Sequence, residues 1–491
     1  MRRNCFLPVL ALLASGCVGV SPPRDVPPPP APAAVEAFSE DLTQRTFRYF
    51  WETTDTRMCL APDRWPSRTF SSIAATGFAL TAYGIGAERG YVTREEAAKR
   101  TRDCLRFYWD APQGAAAKDI TGYKGFFYHF LKYDDGTRHA TTELSTVDTT
   151  LFLGGALFAQ SYYDRDDPVE AEIRDLAERI YRRVEWDWAL RGGTGTKARN
   201  YPESQGITMG WKPEDGWQPA DWVGYNEGML VYILALGSPT HPVGKAAWDK
   251  GWAARLDEDW GSFYGYEHLQ FEPLFGHQYS HVWVDFRGIQ DEFMRGKGID
   301  YFENSRRATL SQRAYGIDNP NAWKEYSGDL WGWTASDGPK YSRDEYAVNG
   351  KLRTFFTYTA RGVSSVRVVD DGTIVPTAAG GSIPFAPEVT IPALMAMRDR
   401  YGDRVYDKYG FKDAFNPSFT FTQADSRTGP VDPKLGWVAA DHLGIDQGPI
   451  LAMLENQRTG LVWATMRKNP HIRRGLERAG FSGGWLDDPE R

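Results

Sequence analysis

The segment from Ile73 to Glu88 (IAATGFALTAYGIGAE) is apolar almost all the way round. A helix without a polar face must be surrounded by protein or lipid, and this one is shorter than the roughly 20 residues that span a bilayer. The chain therefore needs an outer layer to cover an inner one. Amphipathic segments are available for that layer. Phe38, Leu42, Phe47, Phe50 and Trp51 mark one. Thr93 with Glu96 forms a capping box that opens another, running to Trp109. Helical spacing continues over 146–163, 168–184, 228–236, 243–255, 286–295, 301–315, 387–401 and 449–469, while strand-like alternation is sparse and best at 363–369. Helices that alternate between buried and amphipathic predict concentric layers, an all-α toroid in one large domain over 36–491 with long inter-helix loops. A helical solenoid would repeat with a period near 34 residues, and no such period is present.

Ahead of that domain, Met1-Arg2-Arg3 is a short basic region and 6–14 is an apolar run too short to span a membrane. Ala14-Ser15-Gly16-Cys17 follows, which resembles a bacterial lipobox with Cys17 as the lipidated residue after a signal peptide at 1–16. No Asp follows Cys17, which favours sorting to the outer membrane, facing the periplasm or the cell surface. Residues 17–35 are Pro-rich and read as an extended tether. The membrane is then met only through the N-terminal lipid. Cys59 and Cys104 remain in the mature chain, either as a disulfide or as two buried free thiols.

A net charge of −7 leaves no basic excess to displace counterions, so nucleic acid is excluded as a partner of the chain as a whole. Aromatic residues make up 14%; they either fill a large core or form surfaces for polar partners, of which sugars are the commonest. Several buried helices are preceded by loops carrying an acid and aromatic or glycine residues: 143–148, 224–228, 283–288, 384–388 and 444–449. Each acid also suits a helix N-terminus. In a toroid, however, inner-helix N-termini converge at one end, where such loops would line a single cleft.

The stretch GYKGFFYHFLKYDDGTRHATTELSTVDTTLFLGG (122–155), with TAAGGSIPFAPE (377–388), KYGFKDAFNP (408–417) and GIDQGPILAMLENQRTGLVW (444–463), resembles the "putative glucoamylase" domain typified by glycoside hydrolase family 144. That family comprises bacterial endo-β-1,2-glucanases and sophorose-releasing enzymes. The resemblance implies an (α/α)6 barrel and an inverting, metal-independent hydrolase of β-1,2-glucan; a monomer without a cofactor is expected.

Glycoside hydrolysis uses two carboxyl groups across the scissile bond. Glu227, set among Trp222, Tyr225 and Met229, has the apolar surroundings that favour the protonated form of a general acid. Glu143 and Asp148 are candidates for the water-activating side, and the base is left open between them. His129, Arg138, Trp211, Trp217, Trp222, Tyr225, His281, Trp283, Asp446 and Gln447 are candidates to stack on glucose rings or bond their hydroxyls. His277 and His281 lie near Asp285, but nothing completes a metal-ligand set. A non-catalytic glycan-capture lipoprotein and a polysaccharide lyase are the competing readings. Capture needs rings and amides rather than several acids, and a uronate lyase needs basic loops where these are acidic.

Overall fold

The computed structural model describes residues 30–191, 205–340 and 345–488; Cys17, the signal segment and most of the tether lie outside them. The molecule is rich in helix, in two classes. α1 (Pro32–Thr53), α3 (Arg94–Asp110) and α5 (Pro168–Arg182) bury one stripe each. α2 (Ile73–Glu88) and α4 (Thr146–Tyr162) are buried on nearly every side. α6 (Trp186–Ala189) is a single turn, and α7 (Met229–Gly237) is wholly buried. α2 packs on α4 and on the buried helix Gly444–Arg458, and α1, α3 and α5 cover them from outside. The α2–α4 approach depends on glycine: a Cβ on Gly77 would lie 2.2 Å from the Leu151 carbonyl oxygen, and one on Gly155 would lie 1.9 Å from that of Gly77.

Local chemistry sets the helix starts. Ser72 accepts from the Ala75 N–H, the Thr93–Glu96 box is formed, and Asp167 caps α5 ahead of Pro168. α1 begins at Pro32, inside the segment expected to be tether, because proline is well tolerated in the first helical turn. The helix expected over 286–295 is only Glu292–Lys297, since Asp291 caps it late. The one expected over 449–469 begins at Gly444 and breaks at left-handed Gly460 before Leu461–Arg467.

Short strands lie between the helices. β1 (Arg64–Trp65), β2 (Ser71–Ser72), β3 (Gly122–Tyr123), β4 (Phe126–Tyr128), β5 (Phe130–Leu131), β6 (Leu144–Ser145), β7 (Gly210–Lys212) and β8 (Gly216–Trp217) are two or three residues each. Five of them form an antiparallel sheet in the order β3-β4-β6-β7-β8. The expected strand at 363–369 is a hairpin, Gly362–Val363 against Val368–Val369. Cys59 and Cys104 form a disulfide with Cα atoms 5.0 Å apart, joining the loop before α2 to α3.

Candidate active site

A cavity of about 520 Å³ opens where α4 begins, lined by His129, Glu143, Asp148, Trp222, Glu227 and Tyr279 among others. A second lobe of about 320 Å³ shares Met209, Trp222 and Glu227 with it and continues past Arg255, Asp259 and Glu272. The three carboxylates proposed for chemistry thus border one space, with Glu227 where the lobes meet.

α4 presents its acid through capping. The Ser145 hydroxyl accepts from the Asp148 N–H at 3.2 Å and donates back to the Asp148 carboxylate. Two residues before Ser145, Glu143 accepts through Oε1 from His129 Nδ1 at 2.8 Å, and Asp148 Oδ1 lies 3.5 Å from His129 Nε2. Burial opposes charge on the imidazole, but Asp148 and Glu143 overcome it and raise His129 to about 9. Burial also works against an ionised Glu143, yet the His129 hydrogen bond and charge hold it near 2. Asp148 moves up because its own burial outweighs the help from His129.

Glu227 sits on a turn fixed from both sides. Asn226 Oδ1 accepts from the Gly228 N–H at 2.8 Å, and Asn226 Nδ2 donates to the Gly224 carbonyl at 3.0 Å. Trp222 Nε1 donates to Thr146 Oγ1 at 2.9 Å, tying this turn to the first residue of α4.

The other sequence candidates divide. Tyr225 is buried against His277 and borders the second lobe. Trp211 and Trp217 are not on the cavity. They stand opposite Leu144 across β6, β7 and β8, so the three share one face of the sheet. Ser145 and Gln218, their chain neighbours, line the cavity from the other face. Arg138 is also turned away: it holds Glu214 with two bonds of 2.7 and 3.0 Å and covers the Tyr128 ring. Trp283 and His281 are core residues, which corrects their reading as ligands. The Trp283 indole stacks on Phe78 with centroids 5.1 Å apart and donates to Thr81 Oγ1, in space left by Gly154. His281 meets Ser305 Oγ at 3.1 Å, and burial lowers it to about 3. Gln447 is likewise fully buried and donates to the Phe411 carbonyl at 2.7 Å. Asp285 pairs with Arg287 and Arg467, and no group of three potential metal ligands occurs among the described residues.

Asp446 lies behind Ile445 of the cavity wall in company that the sequence reading missed. It lies in the field of Asp413; both are buried, and burial raises both carboxyls, helped at Asp413 by Asp337 and at Asp446 by Asp413. Asp413 accepts from the Asp337 N–H at 2.8 Å, and Arg64 binds Asp337 at 2.7 Å. Tyr279 and Tyr358 of the cavity wall stand in the field of Asp446. Asp413 belongs to the motif at 408–417, which was the available signal.

Comparison with known proteins gives a consistent picture. Residues 219–470 match the family described as "Putative glucoamylase". An exo β-1,2-glucooligosaccharide sophorohydrolase (non-reducing end) of Parabacteroides distasonis is 26% identical over 474 residues, covering 91% of this chain and 58% of that protein. The chain thus spans 58% of the length of that curated relative. Among solved structures, one described as a putative glucoamylase from Bacteroides uniformis is 32% identical, with 92% of this chain and 98% of that one covered and a TM-score of 0.75. An endo-β-1,2-glucanase from Chitinophaga pinensis, solved with sophorotriose and glucose, is 26% identical, with coverages of 92% and 99% and a TM-score of 0.72.

Proposed function

Because the chain belongs to the putative glucoamylase family, we infer that it is a glycoside hydrolase acting on β-1,2-glucan. The observation that carries this reading is the single cavity bordered by Glu227, Glu143 and Asp148, together with the names of its relatives from Parabacteroides distasonis and Chitinophaga pinensis. The buried helices and their amphipathic covers form an (α/α)6 toroid whose inner N-termini supply the cavity loops.

Glu227 donates the proton to the leaving glycosidic oxygen. Glu143, ionised, orients and deprotonates the attacking water, and the product is the inverted anomer. A second assignment of the water side is favoured by the Asp413–Asp446 pair. Burial raises both carboxyls of that pair, so whichever is ionised is a stronger base than a carboxylate held near 2. The Glu143→Gln and Asp446→Asn variants separate the two: the true base loses kcat, and the other loses binding or stability.

The chain is proposed to work as a monomer. It is anchored through Cys17 to the outer membrane, and the Cys59–Cys104 disulfide supports an oxidising compartment. Linear β-1,2-glucan incubated with the purified protein should yield short β-1,2-linked oligosaccharides on chromatography. Binding without products would favour glycan capture, and neither binding nor products would overturn the substrate class.

A further inference from the structure

His129 lies between β4 and β5 and faces acids from three directions. Its Nδ1 meets Glu143 Oε1 at 2.8 Å, and its Nε2 meets Asp148 Oδ1 at 3.5 Å. Asp63, from the loop before β1, is the third carboxylate acting on it. Lys212 of β7 also helps to hold Glu143 ionised. A neutral imidazole has one N–H and one acceptor nitrogen, so a ring that faces carboxylate oxygens with both nitrogens carries both protons. The ring is also held in place. The His129 N–H donates to the Glu143 carbonyl at 3.0 Å, its own carbonyl accepts from the Ile73 N–H at 3.1 Å, and its face lies on Phe130 with centroids 3.8 Å apart.

From this geometry, and resting on the hydrolase reading above, we propose that His129 is a positioning residue. As an imidazolium it spans Glu143 and Asp148 and fixes both carboxylates on the cleft wall, acting through them rather than as a sugar ligand. Without its charge, Glu143, Asp148 and Asp63 would repel one another across a partly desolvated space. The water-side carboxylate would then move off its line to the scissile bond. The elevation of the imidazole to about 9 and the depression of Glu143 to about 2 agree with that arrangement.

The test that needs no substrate is a ¹³C-histidine NMR titration of the full chain, which has eight histidines. One resonance should titrate near 9 and be missing from His129→Gln. If no resonance titrates above about 8, the imidazolium clamp is wrong, whatever the enzyme hydrolyses. This arm stands on the wild type if the variant does not fold. The activity arm asks how the residue works. His129→Gln should lower kcat by about 10- to 100-fold, as misplacement of a reacting group does, with KM little changed. It should also move the acidic limb of the kcat profile upward as Glu143 loses its partner, and His129→Arg should recover part of kcat. A rise in KM alone, or an equal loss at every pH with unmoved limbs, would overturn the positioning role.

Discussion

Removing the Cys59–Cys104 cross-link should cost the protein stability and leave the chemistry alone. The two cysteines are 45 residues apart, and the loop they close contains all of α2. The loop-entropy relation for that length gives about 13 cal/mol/K, about 4 kcal/mol at 25 °C. Cys59 has φ 52°, and alanine keeps the same Cβ in that left-handed position, so the double variant Cys59→Ala/Cys104→Ala isolates the cross-link. The thiols are buried and neither borders the cavity. Tyr108 and Thr76 still donate to the Cys59 carbonyl, at 3.3 and 3.4 Å, and hold the loop in the folded state. Urea unfolding of the wild type, with and without reductant, and of the double variant should show a loss of about 4 kcal/mol in both perturbed forms, with kcat unchanged at 25 °C. A loss below about 1 kcal/mol, or thiols at Cys59 and Cys104 that can be alkylated in the denatured, unreduced wild type, would refute the argument.

Glu227→Gln should lower kcat by about 100-fold or more, as loss of a positioned proton donor does, while glucan binding measured by calorimetry changes little. Trp283→Ala should destabilise the fold by about 3–5 kcal/mol yet leave KM unaltered in the protein that remains folded; a raised KM would put the indole back at the sugar. The stability difference between wild type and His129→Gln should depend on pH in a stated direction. The imidazole is raised from 6.5 to about 9, so its contribution is complete below about 6.5 and disappears as pH climbs through 9. Urea titrations at pH 6 and 9.5 check this, and a difference that grows with pH contradicts it. Cys17→Ala should release the protein from outer-membrane fractions with full activity, and continued fractionation with the membrane would assign the anchor elsewhere.

What could be read in the sequence is what is decided within a few residues. The apolar run at 73–88 names a buried helix because no rotation gives it a wet face. Thr93 and Glu96 announce a helix start because each satisfies the other's backbone group. Glu143, Asp148 and Glu227 were found together because capping at α4 and the turn at Asn226 are local devices that point outward from helix ends. The five-stranded sheet was missed for the opposite reason. Strands of two or three residues carry no measurable alternation, and their pairing joins segments far apart in the chain. With the sheet went the direction of its side chains, so Trp211 and Trp217 looked like neighbours of the acidic loop at 143–148 when the pleat turns them to the other face.

The same reasoning explains which aromatics and acids changed roles. A tryptophan near an acidic helix start has the composition of a sugar platform, and Trp283 met that description. Its partner is the gap at Gly154, where any Cβ would lie 2.6 Å from the indole, beside Gly155, which lets α2 approach. Two adjacent glycines inside an otherwise apolar helix cost stability unless something large fills the space they leave. The pair Gly154-Gly155 was thus a readable sign that a bulky ring from elsewhere enters the core at that level. Asp413 is marked only by its place in the motif at 408–417, and nothing local foretells its company. Its chemistry comes from Asp446 and Asp337, brought together only by folding, and a carboxylate gains or loses a proton according to neighbours that no local pattern records.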